Sequence, residues 1–476
     1  DFVRKVRDGL ILFLQKETDC FFLVLADPKR GEQSVGEITL ELRLVFQIPE
    51  SGLTINGLIG GLKEAVGQIH GAILGNLMRA LEERLINEMT QNDPERYRRN
   101  GSQSKPRYLK SSLGSVAYRF AQLKDRQSGR SLMPLVEALA IPAYDHYLEE
   151  ALEPGIGLSV HVSYRRATSE VERLGGQSMS HTTVHSRLQR FGREHDPFGV
   201  MKDRAFRFLV VDGTKVHLQG PAGKDLGQVE MRWAMASVGS LSRFEPVGFW
   251  IDTEWAEIRK ELEDRLDYQK LEVLFSDGGS GIAENLLHPG MKQQRCQWHG
   301  KREFPYFLYA DGFKKAEQQS LVEKLQSVPV MTLTQNDMEK LRPEDRPVVE
   351  QMVEKTQQGF EQLLQALDPQ CYPRTRTYIE NLMAPVTSFL RHWLDTGEVI
   401  PLTTNAIESA FSQVNNRIKR VGRRWSEQGL LNWLKVTFYK IFKPELWSTL
   451  WNSEKDFPKI KLTSLQISWR WSNVIT

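Results

Sequence analysis

Two aspartates end two short apolar runs, and a pair of carboxylates so placed can hold a divalent cation. Residues 206–211 read FRFLVV and lead into Asp212, and residues 271–276 read LEVLFS and lead into Asp277. Each aspartate is followed by glycine, which predicts that a buried strand ends there with its carboxylate at the lip. In neighbouring parallel strands the two carboxylates would meet above the sheet edge and need a divalent cation to offset their repulsion. The alternative is that each aspartate only forms an Asp-Gly turn.

A third acid, Glu408, lies in the stretch TTNAIESAFSQVNNRIKRVGRRW at residues 403–425. Helical spacing predicts a buried stripe of Ile407, Phe411, Val414, Ile418 and Val421, and a polar face of Glu408, Ser412, Asn415 and Lys419. Asn405 and Glu408 also have the spacing of a capping box, with Asn405 as the N-cap, which would explain the acid without chemistry. That alternative does not explain why the polar face continues into a basic cluster. The cluster comprises Arg417, Lys419, Arg420, Arg423 and Arg424.

The three acids and a nearby motif resemble those of a known enzyme family. Asp212 in VVDGT, Asp277 in FSDGG and Glu408 in TTNAIES look like the D, D and E of a DDE transposase. The sequence CQWH at 296–299 resembles the C-x-x-H signature of the Mutator-like bacterial insertion-sequence transposases and their relatives. The likeness covers about residues 204–440, and residues 107–195 look like the DNA-binding part of a related insertion-sequence group. The subfamily stays open.

This resemblance implies a fold, a reaction and partners. The fold is α/β, with an RNase H-like mixed-sheet core interrupted by an all-helical insertion. The reaction is DNA cleavage and strand transfer at insertion-sequence ends, with two Mg²⁺ or Mn²⁺ ions about 3.5–4 Å apart held by the three acids. The partners are double-stranded DNA, both transposon ends and target, and a second copy of the chain that forms a homodimer on DNA. Two alternatives remain: a helix-turn-helix regulator with an inactive nuclease-like core, and an RNase H-type nuclease.

Several residues near the acids have an auxiliary role in this interpretation: Cys296, Trp298, His299, Lys215 and His217. Cys296 and His299 have metal-ligand spacing, but two ligands do not make a zinc site, so zinc is not expected unless Cys371 and His288 complete it. We expect Cys296 to pack in the core and His299 to make a hydrogen bond near the catalytic strand or DNA. Trp298 either stacks on a flipped base or is a core aromatic. Lys215 and His217 either contact the scissile phosphate or are solvated.

A second DNA-binding element is predicted before the catalytic core. Residues 163–174 form an amphipathic helix, a Gly-Gly turn follows, and Ser180 has the position of an N-cap for a helix over 182–191. Helix, glycine turn and capped helix is the layout of a helix-turn-helix, whose outward face here carries His185, Arg187, Arg190 and Arg193. The alternative is an ordinary helical hairpin with a solvated face.

The periodicities divide the chain into six regions. These are an N-terminal strand-plus-helix region with a basic linker (1–110), a mainly helical DNA-binding domain (111–200, helix-turn-helix about 163–193), the first part of the core (201–310), the helical insertion (311–400), the core helix with the third acid (401–445) and a C-terminal tail (446–476). Within the first region, residues 38–46 alternate like a half-buried strand and 58–91 read as one helix. Polar, basic residues 93–110 are interpreted as a linker or a phosphate-tracking arm.

Composition indicates the compartment of the protein better than it indicates an activity. The formal net charge is +3 over 476 residues, so the total charge does not by itself indicate nucleic-acid binding. Three widely spaced cysteines argue against a disulfide framework and favour a reducing compartment. No apolar run approaches the ~20 residues of a membrane span, so no membrane partner is expected. We expect the protein at the nucleoid of a prokaryote or in the nucleus of a eukaryote. No signal peptide is evident, and a start on Asp1 rather than Met leaves an earlier targeting segment open.

Overall fold

The computed structural model describes residues 44, 46, 51–112, 114–141, 146–175, 178–421 and 425–451. The strand predicted over 38–46, most of the C-terminal tail, and Arg423 and Arg424 lie outside these residues. The chain divides into two compact units. The first takes residues 1–159, 164–184 and 444–476, and the second takes 160–163 and 185–443.

The first unit begins with a 38-residue helix, α1 (Ile55–Asn92), which confirms the helix predicted over 58–91. The hydroxyl of Thr54 caps it by accepting a hydrogen bond from the Gly57 amide at 3.1 Å. Its second half buries Met78, which joins an apolar core with residues of the strands that follow.

Short strands follow where the sequence predicted a linker and then helices. They are β1 (Tyr97–Ser102), β2 (Arg107–Ser111), β3 (Gly114–Tyr118), β4 (Ala121–Asp125) and β5 (Ser131–Leu132). β1, β4 and β5 form one antiparallel sheet, and β2 and β3 form a hairpin. The linker predicted at 93–110 is therefore wrong, and the mainly helical region predicted from 111 begins with strands up to Leu132 before its helices. Buried Val116 and Tyr118 alternate with exposed residues in β3, but five residues carry too little of this pattern to outweigh the surrounding charge.

The helices of the first unit confirm the predicted helical pair. They are α2 (Pro134–Ala138), α3 (Glu149–Ser159), α4 (Tyr164–Gly175) and α5 (His181–Glu194), of which α5 continues into the second unit. Ser180 caps α5 as predicted, because its hydroxyl accepts the Thr183 amide at 3.0 Å. Ala167 and Val171 are buried, whereas Leu174 near the end of the same amphipathic helix is 72% exposed.

The second unit is built on a five-stranded mixed sheet. Its strands are β6 (Phe208–Gln219), β7 (Asp225–Ser237), β8 (Glu245–Ile251), β9 (Val273–Ser276) and β10 (Lys292–Arg295), in the order β10-β9-β6-β7-β8. β6, β7 and β8 form the predicted antiparallel meander, while β9 runs parallel to β6 and β10 parallel to β9. The predicted break at Gly213 is wrong. β7 pairs with β6 along its whole length, so the strand passes through Gly213 to Gln219.

The two faces of this sheet are covered differently. Leu209, Val211 and Leu274 face a core shared with α6 (Trp255–Arg265) and α7 (Ile282–Leu286). Because side chains alternate along a strand, Val210 and Asp212 face the opposite side.

Residues 311–400 are helical, as predicted for the insertion. After α8 (Gln297–Ala310), the helices of this region are α9 (Lys315–Ser327), α10 (Pro329–Thr332), α11 (Gln335–Glu339), α12 (Arg346–Ala366), α13 (Pro373–Val386) and α14 (Ser388–Thr396). β10 ends at Arg295, and Cys296 is the N-cap residue of α8.

The chain then returns to the sheet. α15 (Asn405–Asn415) runs into a π-helical turn at Asn416–Val421, and α16 (Glu427–Thr437) runs into another at Phe438–Phe442. The last described helix, α17 (Pro444–Trp451), belongs to the first unit. Across the described residues, no helix combines the length and apolar character that crossing a bilayer requires.

Candidate metal and nucleic-acid site

Strand register brings the two predicted aspartates to one level of the sheet. The parallel pairing of β6 and β9 ends with Val210 opposite Phe275. Asp277 directly follows β9, and an extension of the register by two residues would set it level with Asp212. The charge of Asp277 raises the pKa of Asp212, in agreement with a short separation. Asp212 is buried and Asp277 is half-buried. The sequence prediction of two adjacent carboxylates thus agrees with the register, although β6 does not end there.

The third acid reaches this face through an aromatic contact. Trp233 of β7 is the direct partner of Asp212, and its ring centroid lies 4.8 Å from that of Phe411 in α15. Glu408 lies three residues before Phe411 on the same helix, so the packing of Phe411 fixes where Glu408 projects. The predicted stripe is buried at Ile407, Phe411, Val414 and Ile418, while Val421 is 39% exposed.

The proposed capping role of Glu408 is wrong. Thr404, not Asn405, is the N-cap residue of α15, and no side chain caps this helix end. The Glu408 amide donates to the Thr404 carbonyl at 3.2 Å, as in any helical turn. Its carboxylate Oε1 instead accepts the Thr404 hydroxyl at 3.0 Å. The carboxylate of Glu408 therefore has no role in ending the helix.

The pKa of Asp212 is raised by its burial and by the neighbouring acids. Burial raises its pKa to about 7, and the charges of Asp277 and Glu408 add to the rise. The Gly213 amide, which donates to Asp212 Oδ1 at 2.7 Å, and nearby His299 act in the opposite direction. A carboxyl with such neighbours is costly to ionise alone and becomes favourable to ionise beside a cation. This donor set fits a hard divalent ion such as Mg²⁺ or Mn²⁺.

His299 and Cys296 lie beside Glu408. His299 Nδ1 is 3.7 Å from Glu408 Oε1. Among the described residues, one group could hold a metal ion because its possible ligand atoms all lie within 4.8 Å of one another: Cys296, His299 and Glu408. Asp212, Asp277 and Glu408 do not form such a group. Although burial opposes it, hydrogen bonds with His299 and Thr404 lower the pKa of the Cys296 thiol. Both Cys296 and His299 are buried, as the sequence predicted for the cysteine.

A fourth acid, Glu303, was missed by the sequence reasoning. The buried guanidinium of Arg295 donates to the Asp277 carbonyl at 3.0 Å and to Glu303 Oε2 at 3.1 Å. Burial raises the pKa of Glu303, Arg295 opposes this, and the charge of Asp277 adds to it. Gly278 makes the approach possible, because its φ of +93° suits glycine and a Cβ would collide with Arg295. Glu303 follows His299 by one helical turn, a relation visible only once α8 is known to start at residue 297.

Three of the predicted phosphate-contacting residues meet in one cavity. Lys215, His217 and Lys419 line a space of about 430 Å³. Lys419 reaches β6, where its Nζ donates to the Thr214 hydroxyl at 2.7 Å. Lys419 therefore lies near the strand segment that follows Asp212.

The other described residues of the basic cluster differ in their exposure to solvent. Arg420 is exposed, Arg423 and Arg424 lie outside the described residues, and Arg417 is only 3% exposed. The guanidinium of Arg417 lies 4.7 Å from the ring centroid of Trp425 and 5.9 Å from that of Trp433. The expectation that Arg417 contacts DNA is therefore wrong, because cation–π packing holds it in the interior.

The auxiliary residues are placed differently from one another. Trp298 is 48% exposed, with Arg302 stacked 4.5 Å from its ring centroid, so the core alternative for Trp298 is wrong. Cys371 is exposed, and His288 contacts the carbonyls of Leu271 and Pro289. Neither belongs to the group of possible metal ligands around Cys296.

The predicted recognition helix α5 is only partly available to DNA. Arg190 and Arg193 are exposed and Arg187 is half-buried, whereas Val184, Leu188 and Phe191 are buried as predicted. An adjoining side of α5 packs on α16. The Gln189 side chain donates to the Gly429 carbonyl and accepts a hydrogen bond from the Asn432 side-chain amide. A Cβ on Gly192 would meet the Asn432 carbonyl oxygen at 2.5 Å. The exposed surface of α5 therefore includes His185, Arg190 and Arg193, while the side of Gln189 and Gly192 is covered by α16.

Comparisons with known proteins give a family resemblance without an activity. Residues 48–227 match a family described as an uncharacterised protein family (UPF0236). A protein of Streptococcus gallolyticus, described as a UPF0236 protein in the vanSb 3′ region, is 23% identical over 344 residues, which cover 67% of this chain and 68% of that protein. The family match ends at residue 227, near the start of β7, so it covers Asp212 and the predicted DNA-binding helices but neither Asp277 nor Glu408.

Proposed function

We propose that this chain is a DDE-type transposase of the Mutator-like insertion-sequence kind, which cuts DNA at transposon ends and joins them to target DNA. The observation that carries the proposal is the convergence of Asp212, Asp277 and Glu408, from two strands and a distant helix, on one face of the mixed sheet. Asp277 also forms a turn, because its Oδ1 accepts the Gly279 amide at 2.8 Å. Turn formation does not account for Asp212, which lies within β6, and helix capping does not account for Glu408.

The order of elements supports an RNase H-like core. The antiparallel meander β6-β7-β8 is followed by a helix and then by β9, which runs parallel to β6. Asp212 lies on the first of these strands, and Asp277 comes directly after the fourth. The helical insertion separates the second acid from the third, as the resemblance implies. A simple RNase H-type nuclease would need neither this insertion nor a preceding DNA-binding region.

The chemistry follows from the carboxylates. Bound Mg²⁺ or Mn²⁺ supplies Lewis-acid stabilisation and a nucleophilic water at neutral pH. Asp212, Asp277 and Glu408 would hold the ions and leave positions open for phosphate and water. In the first step, a water oxygen attacks phosphorus and the bond to the 3′ oxygen breaks, which frees a 3′-hydroxyl. In the second step, that hydroxyl attacks a phosphate of the target DNA and displaces the 3′ oxygen of the target strand. One P–O bond forms and one breaks in each step.

Basic residues beside the acids would hold the DNA backbone. Lys215, His217 and Lys419 share a cavity next to the strand segment after Asp212, and exposed Arg420 follows on the same turn as Lys419. A second contact would come from Arg187, Arg190 and Arg193 on α5. Because two transposon ends must be joined, we also propose that the chain acts as a homodimer, at the nucleoid of a prokaryote or in the nucleus of a eukaryote.

A cleavage and joining assay tests the proposal. The full chain is incubated with labelled duplexes from the DNA that flanks its gene and with a supercoiled plasmid, in Mg²⁺, Mn²⁺ or chelator. We expect nicks at inverted repeats and strands joined to the plasmid, and we expect both to be lost in Asp212→Asn, Asp277→Asn and Glu408→Gln while DNA binding stays. Specific binding without metal-dependent cutting would favour the regulator alternative. Cutting of RNA–DNA hybrids without joined products would favour the nuclease.

A further inference from the structure

Cys296 and His299 place a sulfur and an imidazole donor beside Glu408, and the proposed DNA reaction uses neither of these two donors. Cys296 is the N-cap residue of α8, His299 lies in the first turn of that helix, and Glu408 projects from α15. One sulfur, one imidazole nitrogen and one carboxylate oxygen lie within 4.8 Å of one another. Sulfur and imidazole donors are those that zinc-like ions prefer, whereas the proposed Mg²⁺ or Mn²⁺ site is made of oxygens alone.

The imidazole is oriented as a ligand without an ion. His299 is 6% exposed, and its Nδ1 makes no hydrogen bond of good geometry although it lies in the protein interior beside the Cys296 thiol. A buried polar atom without a partner is costly, so it needs a physical cause. The nearest carboxylate atom, Glu408 Oε1, is 3.7 Å away, which is too long for a hydrogen bond. Two donors at roughly 2.0–2.2 Å from one tetrahedral ion lie about 3.4 Å apart, so this separation suits shared coordination.

We propose that Cys296, His299 and Glu408 form a binding site for a thiophilic divalent ion of the Zn²⁺ class, with a fourth position open to water or a phosphate oxygen. Binding releases the thiol proton of Cys296 to solvent and leaves the thiolate as ligand. Thr404 orients the carboxylate by donating to Glu408 Oε1 at 3.0 Å. The two ligands recognisable in the sequence become three because α15 brings Glu408 to α8.

Glu408 belongs to both donor sets, which gives the ion a consequence for activity. While its carboxylate binds the thiophilic ion beside α8, it is not free to complete the oxygen site with Asp212 and Asp277. Occupancy of the Cys296 site should therefore inhibit DNA cleavage. This consequence rests on the proposed function, whereas the binding site itself does not.

Cobalt(II) tests the site without any activity assay. The metal-free full chain is titrated with Co²⁺, and the thiolate-to-cobalt charge-transfer band is followed in the near ultraviolet, with Zn²⁺ as competitor. We expect one Co²⁺ per chain, displaced by Zn²⁺. Cys296→Ser should abolish the band, and His299→Gln and Glu408→Gln should weaken binding by more than about tenfold, since even outer-shell changes cost that much.

Matched variants test whether the band comes from the Cys296 thiolate. Cys371→Ser removes the exposed cysteine of the insertion and should leave the band unchanged. Asp277→Asn should also leave it unchanged while abolishing cleavage, so loss of the proposed activity and loss of this site are distinguishable. The proposal is overturned if the wild-type chain gives no thiolate band, or if the band survives in Cys296→Ser. Absence of the band would indicate a protonated imidazole paired with Glu408 without a metal, and a band that survives in Cys296→Ser would indicate cobalt bound by another cysteine, Cys20 or Cys371.

If the band is present, zinc should inhibit Mg²⁺-dependent cleavage by the wild-type chain at concentrations that leave Cys296→Ser active. Equal inhibition of the wild-type chain and Cys296→Ser would refute the proposed inhibition through this site but not the metal binding itself.

Discussion

Trp233 lies directly opposite Asp212 on the neighbouring antiparallel strand, and both face the side of the sheet that α15 covers. The indole packs against Phe411, one helical turn beyond Glu408. An apolar contact thus sets the distance between the first acid and the third. Precise placement matters because small displacements of catalytic groups reduce rates strongly.

We expect Phe411→Leu to impair DNA cleavage although it changes no acid. The smaller side chain loses the ring contact with Trp233 and lets α15 shift, which moves Glu408 relative to Asp212. Cleavage and joining by the variant should fall by at least about tenfold while end-DNA affinity changes little. A gel assay of both quantities on the same preparation checks this.

Phe360→Leu is the matched control for this change. Phe360 is also a buried phenylalanine in a helix, but it lies in the insertion. Its replacement should cost a similar amount of folding stability, on the order of 1 kcal/mol, and leave cleavage intact. If both variants lose activity equally, the effect of Phe411 is general destabilisation, and the positioning argument fails.

The pKa of Asp212 predicts how stability depends on pH without metal. Burial and the neighbouring acids raise this pKa from 3.8 to about 7. Because the folded state then binds the proton more tightly than the unfolded chain, the contribution to stability is complete below about pH 4 and is lost as the pH rises through about 7. Asp212→Asn removes this dependence. At pH 8 in chelator it should be more stable than wild type, by at most about 4 kcal/mol, with little difference at pH 4.

Urea unfolding at several pH values, with and without Mg²⁺, measures this difference. Mg²⁺ should stabilise the wild-type chain above pH 7 and have a smaller effect on Asp212→Asn, since the ion offsets the repulsion among carboxylates. A stability difference between the two proteins that is constant from pH 4 to pH 8 would contradict the raised pKa.

The long, strongly periodic segments were predictable from sequence. The helix α1, the helical pair with its Ser180 cap, the antiparallel meander and the helical insertion all follow from residue periodicity and composition. The strands between Tyr97 and Asp125 were not, because each is short and most of their basic residues lie on solvated sides. Gly213 also misled, since pairing with β7 holds the strand together against its local tendency to turn.

The site was predictable in its acids but not in its surroundings. Asp212 and Asp277 follow recognisable strands, and Glu408 begins a recognisable polar face. The closeness of His299 to Glu408, the Lys419 bond to Thr214 and the burial of Arg417 depend on how distant helices pack on the sheet. Sequence spacing carries no direct information about such contacts.

Arg417 and Arg420, three residues apart, should respond oppositely to alanine substitution. Arg417→Ala removes a guanidinium packed on Trp425 and should lower the free energy of unfolding by about 2 kcal/mol or more, with unchanged DNA affinity of the folded protein. Arg420→Ala, alone or with Arg423→Ala, should leave the melting temperature nearly fixed and weaken DNA binding and cleavage together. Thermal unfolding and binding of end DNA distinguish them. Normal binding and cleavage by the Arg420/Arg423 variant would reduce this basic cluster to a favourable helix-end charge.

DNA binding through α5 makes a prediction about salt. Changing Arg187, Arg190 and Arg193 together to alanine should weaken duplex binding and flatten its dependence on salt concentration. Each lost phosphate contact reduces the log–log slope by about 0.9, so the largest expected change is about 2.7. The measurement is the affinity for a labelled duplex over a range of salt concentrations, with helical content checked by circular dichroism.

Arg346 provides a control that matches Arg190 in its local setting. Arg190 pairs with Glu194 at 2.8 Å, and their side chains are 57% and 54% exposed. Arg346 pairs with Glu350 at 3.0 Å with the same i,i+4 spacing and exposures of 57% and 52%. The two ion pairs match in spacing and exposure, so each should contribute well under 1 kcal/mol to stability, although Arg346 also donates to the Leu394 carbonyl at 2.7 Å. Arg190→Ala should therefore reduce the salt slope while Arg346→Ala does not, and an equal slope in both variants would mean that α5 belongs to an ordinary helical hairpin with a solvated face.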